Sequence, residues 1–234
     1  MAKSYPFYYL DYLEGVARLN NLDFSATTNF EAFVNSFKGR NYLMAARQRM
    51  SWIAFLKGDS AQYRKWVNDV RQNEAFQVDE DKQVLREISE SEFPNYHLLR
   101  ARLLFDGGYF SRALAEMLDN PVNVIVKSKK DFIEYLYRLG RIYHQSGNTA
   151  LALGYYEKTI INGISHPYYF AVAAAWQMGI IYENQMEWEK AEASYKRCLS
   201  MDTPEYKTSL RQKAKAGLER VRWKLKPDPE RGLN

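Results

Sequence analysis

The same glycine and tyrosine positions occur twice in this chain, 39 residues apart. Gly140 and Tyr143 recur as Gly179 and Tyr182, and Ala152 and Tyr156 recur as Ala191 and Tyr195. Leu104, Gly108 and Ala113 in turn stand 39 residues before Tyr143, Gly147 and Ala152. Chance rarely sets small and aromatic residues in register so often. A repeat of this length is one supersecondary unit, and such a unit buries its apolar face only by stacking on its neighbours.

Each unit reads as helix, short turn, helix. Asp131 with Glu134 has the form of a capping box, and Leu136, Leu139, Gly140 and Tyr143 then fall on one helical face. Gln145-Ser146-Gly147-Asn148 supplies the turn, with Gly147 suited to a positive φ. A second helix carries Ala152, Tyr155, Tyr156 and Ile160. The next unit opens at Pro167, a tolerated first-turn residue, and runs to Tyr182. It turns near Asn184–Glu187 and returns along Ala191, Tyr195 and Leu199. Mid-helix glycine costs about 1 kcal/mol relative to alanine, so two in register point to a steric need where helices cross closely.

Leu136-x2-Leu139-Gly140-x2-Tyr143 followed by Ala152-x3-Tyr156 resembles the tetratricopeptide repeat signature. Met178-Gly179-x2-Tyr182 followed by Ala191-x3-Tyr195 resembles it again. A degenerate unit around 94–120 keeps Ala101, Leu104, Gly108, Ala113 and Met117. The resemblance implies an all-α chain, a TPR-like superhelical solenoid of antiparallel helix hairpins. The period of 39 exceeds the family's usual length of about 34, which is read as a longer first helix in each pair.

The rest of the chain follows the same logic more loosely. Residues 7–75 are read as degenerate hairpins: 8–19 with 25–37, where Ala26 and Phe30 take second-helix slots, and 41–56 with 60–70. Lys82–Ser91 is expected as a surface helix, 94–204 holds the clearest repeats, and 205–226 is a C-terminal capping helix before a tail at 227–234. The whole chain, 1–234, is thus expected to be a single repeat domain of about five hairpins. No segment alternates polar and apolar residues long enough to predict a sheet.

Signals for chemistry are sparse. Asp106-Gly107-Gly108 is the one double glycine and sits in a repeat turn, not a phosphate loop. His97, His144 and His166 have no local ligand spacing, so no metal or other cofactor is expected. Cys198, alone, rules out an internal disulfide and is expected as a packed, inert thiol. Glu187/Glu189 and Asp79/Asp81 read as solvated turn and helix-end carboxylates. No catalytic residue and no small-molecule substrate are expected.

Partners come instead from the family likeness and from charge. In such stacks the first helices line a concave face on which partner peptides lie. Carried over residue by residue, that face holds Tyr137, Arg141 and His144 in one unit and Trp176, Ile180 and Glu183 in the next. In the degenerate unit it holds Leu98, Arg102 and Phe105. The Lys and Asn pair with which chaperone-binding members hold a terminal carboxylate is missing at these positions. The formal charge is +5, yet 205–226 alone carries +6, from Lys207, Arg211, Lys213, Lys215, Arg220, Arg222, Lys224 and Lys226 against Glu205 and Glu219. A basic helix with Tyr206 and Trp223 either caps the stack with a polar outer face or binds a polyanion, nucleic acid or an anionic membrane surface. The reading is a non-catalytic protein-interaction or assembly scaffold, with polyanion binding as the alternative and homo-oligomerisation open. The segment Met1–Pro6 lacks the apolar core of a signal peptide, so the cytoplasm is the default expectation, and export follows if a leader has been removed.

Overall fold

The computed structural model describes residues 7–72, 78–90, 93–202 and 207–226. Every regular element among them is an α-helix. In chain order these are α1 (Tyr9–Asn20), α2 (Ala26–Ser36), α3 (Leu43–Leu56), α4 (Ser60–Gln72), α5 (Asp79–Glu90), α6 (Tyr96–Asp106) and α7 (Phe110–Leu118). There follow α8 (Val122–Ile125), α9 (Lys129–Gln145), α10 (Thr149–Gly163), α11 (Phe170–Asn184), α12 (Trp188–Ser200) and α13 (Lys207–Leu225). The all-α stack of adjacent hairpins is as expected. The chain divides into two compact units, Met1–Ala113 and Leu114–Asn234, with α7 spanning the division. Tyr206 and the 227–234 tail lie outside the described residues.

In the second unit α9 pairs with α10 and α11 with α12, while α13 packs on both α11 and α12. The start of α9 differs from the capping box expected at Asp131. Ser128 is the N-cap, its side chain accepting from the Asp131 amide at 3.1 Å, and the Asp131 carboxylate accepts from the Lys127 amide at 3.0 Å. The reciprocal pair thus sits three residues earlier in the chain. α11 begins at Phe170 rather than Pro167, so part of the extra repeat length lies in the 164–169 link instead of in the first helix. Gly147 turns between α9 and α10 at φ +80°, as expected. Thirty-nine residues later, in the α11–α12 turn, Met186 takes φ +60°.

The first unit pairs α1 with α2 and α3 with α4, and α6 packs against α1. Gly15 on α1 faces the fully buried ring of Phe30 on α2, where an added Cβ would meet Cε1 at 2.8 Å. This is the close glycine–aromatic crossing of the later repeats, cast with Phe instead of Tyr.

The 82–91 surface helix is a correction. The observed helix, α5, packs on α3 and buries Val84 and Asp81. The cause lies at the start of α3, where Tyr42 stands at φ +66° and no local side chain caps the helix. The Asp81 carboxylate does so from 36 and 39 residues away, accepting the amides of Ala45 and Tyr42 at 2.9 Å each. The expectation of a solvated Asp81 is overturned by the same contacts. Farther along α5, Glu87 accepts from Gln48 at 3.0 Å and Gln83 at 2.6 Å and pairs with Arg102 at 3.0 Å. Burial pushes the Glu87 carboxyl up, but Arg102 and the donated hydrogen bonds outweigh it and hold the group below the usual range.

Candidate interaction face

In the second unit α11 packs against α9 on one hand and α13 on the other, so these three helices form one layer. A second layer holds α10 and α12, joined by two hydrogen bonds from Arg197 to Glu157 at 2.6 and 2.9 Å. Glycines let the layers close. An added Cβ at Gly140 would meet the Tyr156 ring at 2.7 Å, and Gly179 stands tighter still against Tyr195. Both tyrosine rings are fully buried. Gly217 of α13 also meets the Tyr195 ring, an added Cβ lying 2.5 Å from Cζ.

On α11, Trp176, Ile180 and Glu183 recur at spacings of four and three and are all half-buried, beside a neighbouring stretch of buried Ala, Val and Ile. Lys213 of α13 sits over the Trp176 ring, Nζ 5.1 Å from its centroid. Seven residues on in both helices, Arg220 donates to both oxygens of Glu183, at 2.7 and 2.9 Å. The 176–213 and 183–220 rungs share one offset, so α13 lies parallel to α11 and in register with it over two turns. Tyr195 donates its hydroxyl to the same Glu183 carboxylate at 2.6 Å. Arg220 foremost, and Tyr195 with it, hold that carboxyl below the usual range against the opposing effect of burial.

On α9 the expected residues divide. Tyr137 is 5% exposed, its ring packed 5.6 Å from Phe170 and 6.0 Å from Tyr169, so it braces the α9–α11 joint and leaves little surface for a partner. Arg141 lies half-buried over that ring and donates to the Tyr137 hydroxyl at 3.2 Å. His144 is half-buried, with Nδ1 3.4 Å from the Tyr156 hydroxyl and a hydrogen bond to the buried Gln177. Burial, with Arg141 adding to it, pushes the imidazole below its ordinary value, so it is neutral at pH 7.

Leu98, Arg102 and Phe105 lie in the other unit. Leu98 is buried. Arg102 stands over Trp52 at 5.1 Å and pairs with Glu87, and Phe105 packs beside Phe110 at 5.4 Å.

The basic residues of α13 also divide. Arg211 donates to the Leu199 carbonyl at 3.0 Å and Arg222 to Glu192 at 3.1 Å, both toward α12. Lys213 and Arg220 face α11, whereas the Lys224 ammonium lies over the Trp223 ring, 4.9 Å from its centroid. Lys215 and Lys226 are exposed on the remaining surface, as is Trp223, at 68%. The side chain of Lys207 lies outside the described residues. That Lys213 and Arg220 join the α11 face was not legible beforehand. The seven-residue spacing they share with Trp176 and Glu183 was the available signal. Among the described residues no cluster of His, Cys, Asp and Glu gathers as a metal site requires, and no helix is long and apolar enough to cross a membrane.

Comparison with known proteins matches a tetratricopeptide repeat family model to residues 136–167 and 177–205, the α9–α10 and α11–α12 hairpins. No curated protein and no solved structure matches. Repeats of this family generally mediate protein–protein interaction and are typically non-catalytic.

Proposed function

From the premise that this all-α chain carries two tetratricopeptide-like repeats, we propose that it is a non-catalytic interaction scaffold whose α9–α11–α13 face receives an extended peptide or a helix of a protein partner. The observation that carries this reading is Trp176. A large aromatic ring stays half-buried on α11, the middle helix of the layer, and half-buried Ile180 lies one turn away. Partly desolvated tryptophans flanked by polar groups are the usual energetic anchors of protein interfaces. Half-buried Arg141 and His144 provide hydrogen-bonding groups on α9 of the same layer, which would set the register of an incoming backbone.

The test is affinity capture from source-cell lysate with wild type, Trp176→Ala and Trp223→Ala, each checked for folding by circular dichroism. The reading expects a partner lost with Trp176→Ala and kept with Trp223→Ala. A partner lost only with Trp223→Ala, or the same set retained by both, overturns it.

A second reading, polyanion binding through α13, is favoured by exposed Trp223 with the Lys224 ammonium over its ring, and by exposed Lys215 and Lys226 on the same helix. It requires steep loss of affinity with salt, because each neutralised phosphate releases counterions.

A further inference from the structure

We infer that the segment received on the α9–α11–α13 face is acidic, with an apolar side chain among its carboxylates. This rests on the interaction reading above and goes further, because α13 changes the charge of the face. Taken alone, α11 offers Trp176, Ile180 and the carboxylate of Glu183. With α13 in register, Arg220 neutralises Glu183 through two hydrogen bonds, and Lys213 on the same stripe stands over Trp176. Arg141 adds a half-buried cation from α9. Glu134, also on α9, is matched by Arg138, one turn later on the same helix. Glu183 and Arg220 cancel, and the Lys213 ammonium leaves positive charge beside the aromatic anchor.

The geometry suits a carboxylate next to an apolar group. The Lys213 ammonium lies over the Trp176 ring and keeps N–H donors for an incoming carboxylate, while the indole and Ile180 offer the apolar contact. Cationic charge arranged this way raises the association rate of an acidic partner and penalises a basic one. Glu219, the acidic residue of the described part of α13, falls about a third of a turn away from the Lys213–Arg220 stripe and is exposed.

The experiment uses the full chain and three fluorescein-labelled peptide pools of equal length. One has Glu and Asp interspersed with Leu and Phe, the second replaces each acid by Lys or Arg, and the third by Ser or Gln. Fluorescence anisotropy is read at low and physiological salt. The acidic pool should bind, weaken as salt rises, and lose about tenfold in affinity with Lys213→Glu, less with Lys213→Ala. Trp176→Ala should weaken it as well. Equal binding of the neutral pool, still dependent on Trp176, removes the charge preference and leaves the interaction face standing. No Trp176-dependent binding by any pool, together with no Trp176-dependent partner in lysate, removes both. Binding of a single-stranded oligothymidylate or of anionic vesicles more tightly than the acidic pool, unaffected by Trp176→Ala, overturns the inference in favour of polyanion binding.

Discussion

Gly179 on α11 and Tyr195 on α12 meet so closely that the tyrosine ring occupies the space any side chain at 179 would need. The ring is fully buried, and its hydroxyl reaches Glu183 on the same helix as the glycine. One residue thus sets helix spacing through its ring and holds a carboxylate of the interaction face through its oxygen.

Gly179→Ala should therefore destabilise the protein although alanine is the better helix former. Overpacking of this kind costs about 1–3 kcal/mol, which exceeds the roughly 1 kcal/mol of recovered helix propensity at the upper end. Gly154 on α10 has nothing within 4 Å of an added Cβ, so Gly154→Ala should stabilise. The expected gain is about 0.5–1 kcal/mol. Urea unfolding midpoints of the two variants should move in opposite directions, and movement in the same direction contradicts the steric account.

Met186 sits where the preceding repeat has Gly147, at φ +60° and 71% exposed. A left-handed conformation costs a non-glycine residue roughly 1–2 kcal/mol, and an exposed side chain gives little back. Met186→Gly should raise the thermal midpoint by a few degrees and Gly147→Ala should lower it. An unchanged or lower midpoint for Met186→Gly rejects the strain.

The Glu183–Arg220 pair predicts an acid limb of stability. Because the Glu183 carboxyl is held below its ordinary value, its stabilisation is complete above the unfolded pKa, about 4.3, and is lost as pH falls through the folded value. Arg220 is 59% exposed, so solvent screening limits the effect to about 1 kcal/mol. Glu183→Gln should be less stable than wild type at neutral pH, and the difference should shrink on acidification below about pH 4. A difference that stays constant with pH would show that the pair contributes no charge-dependent stability.

Asp81→Ala should expose how much α5 contributes to α3. Removing the carboxylate leaves the buried Ala45 amide and the half-buried Tyr42 amide without their acceptor, at a cost of about 2–3 kcal/mol. Asp81→Asn keeps one acceptor oxygen and should lose less. Hydrogen exchange at the Tyr42 and Ala45 amides should accelerate in the order wild type, Asn, Ala; any other order argues against long-range capping.

Cys198 is fully buried on α12, and burial pushes its thiol up to about 12 although Arg211 acts in the opposite direction. It should resist a thiol-specific disulfide reagent in the native protein and react within minutes once urea unfolds the chain. Stoichiometric reaction under native conditions would contradict that packing.

The hairpins were legible because their signals are local. Helical periodicity spans three or four residues, and the glycine–aromatic crossings link neighbours about sixteen residues apart, as in Gly140 and Tyr156. Both follow from the size and spacing of side chains, so composition in a short window is enough to read them. In the first hairpin the slot of Phe30 was legible but its pairing with Gly15 was not, although the steric requirement is the same.

Burial of Asp81, the seating of α5 on α3 and the register of α13 against α11 had no such local signal. A carboxylate is as compatible with solvent as with a helix N-terminus, and only the approach of an uncapped α3 tells the two apart. Likewise, eight basic residues read as one patch until packing sends Arg211 and Arg222 toward α12 and Lys213 and Arg220 toward α11. Helix and hairpin are dictated by which side chains can lie next to one another along the chain. The partners of the charged groups depend on which distant helix arrives beside them, and long-range packing alone makes that choice.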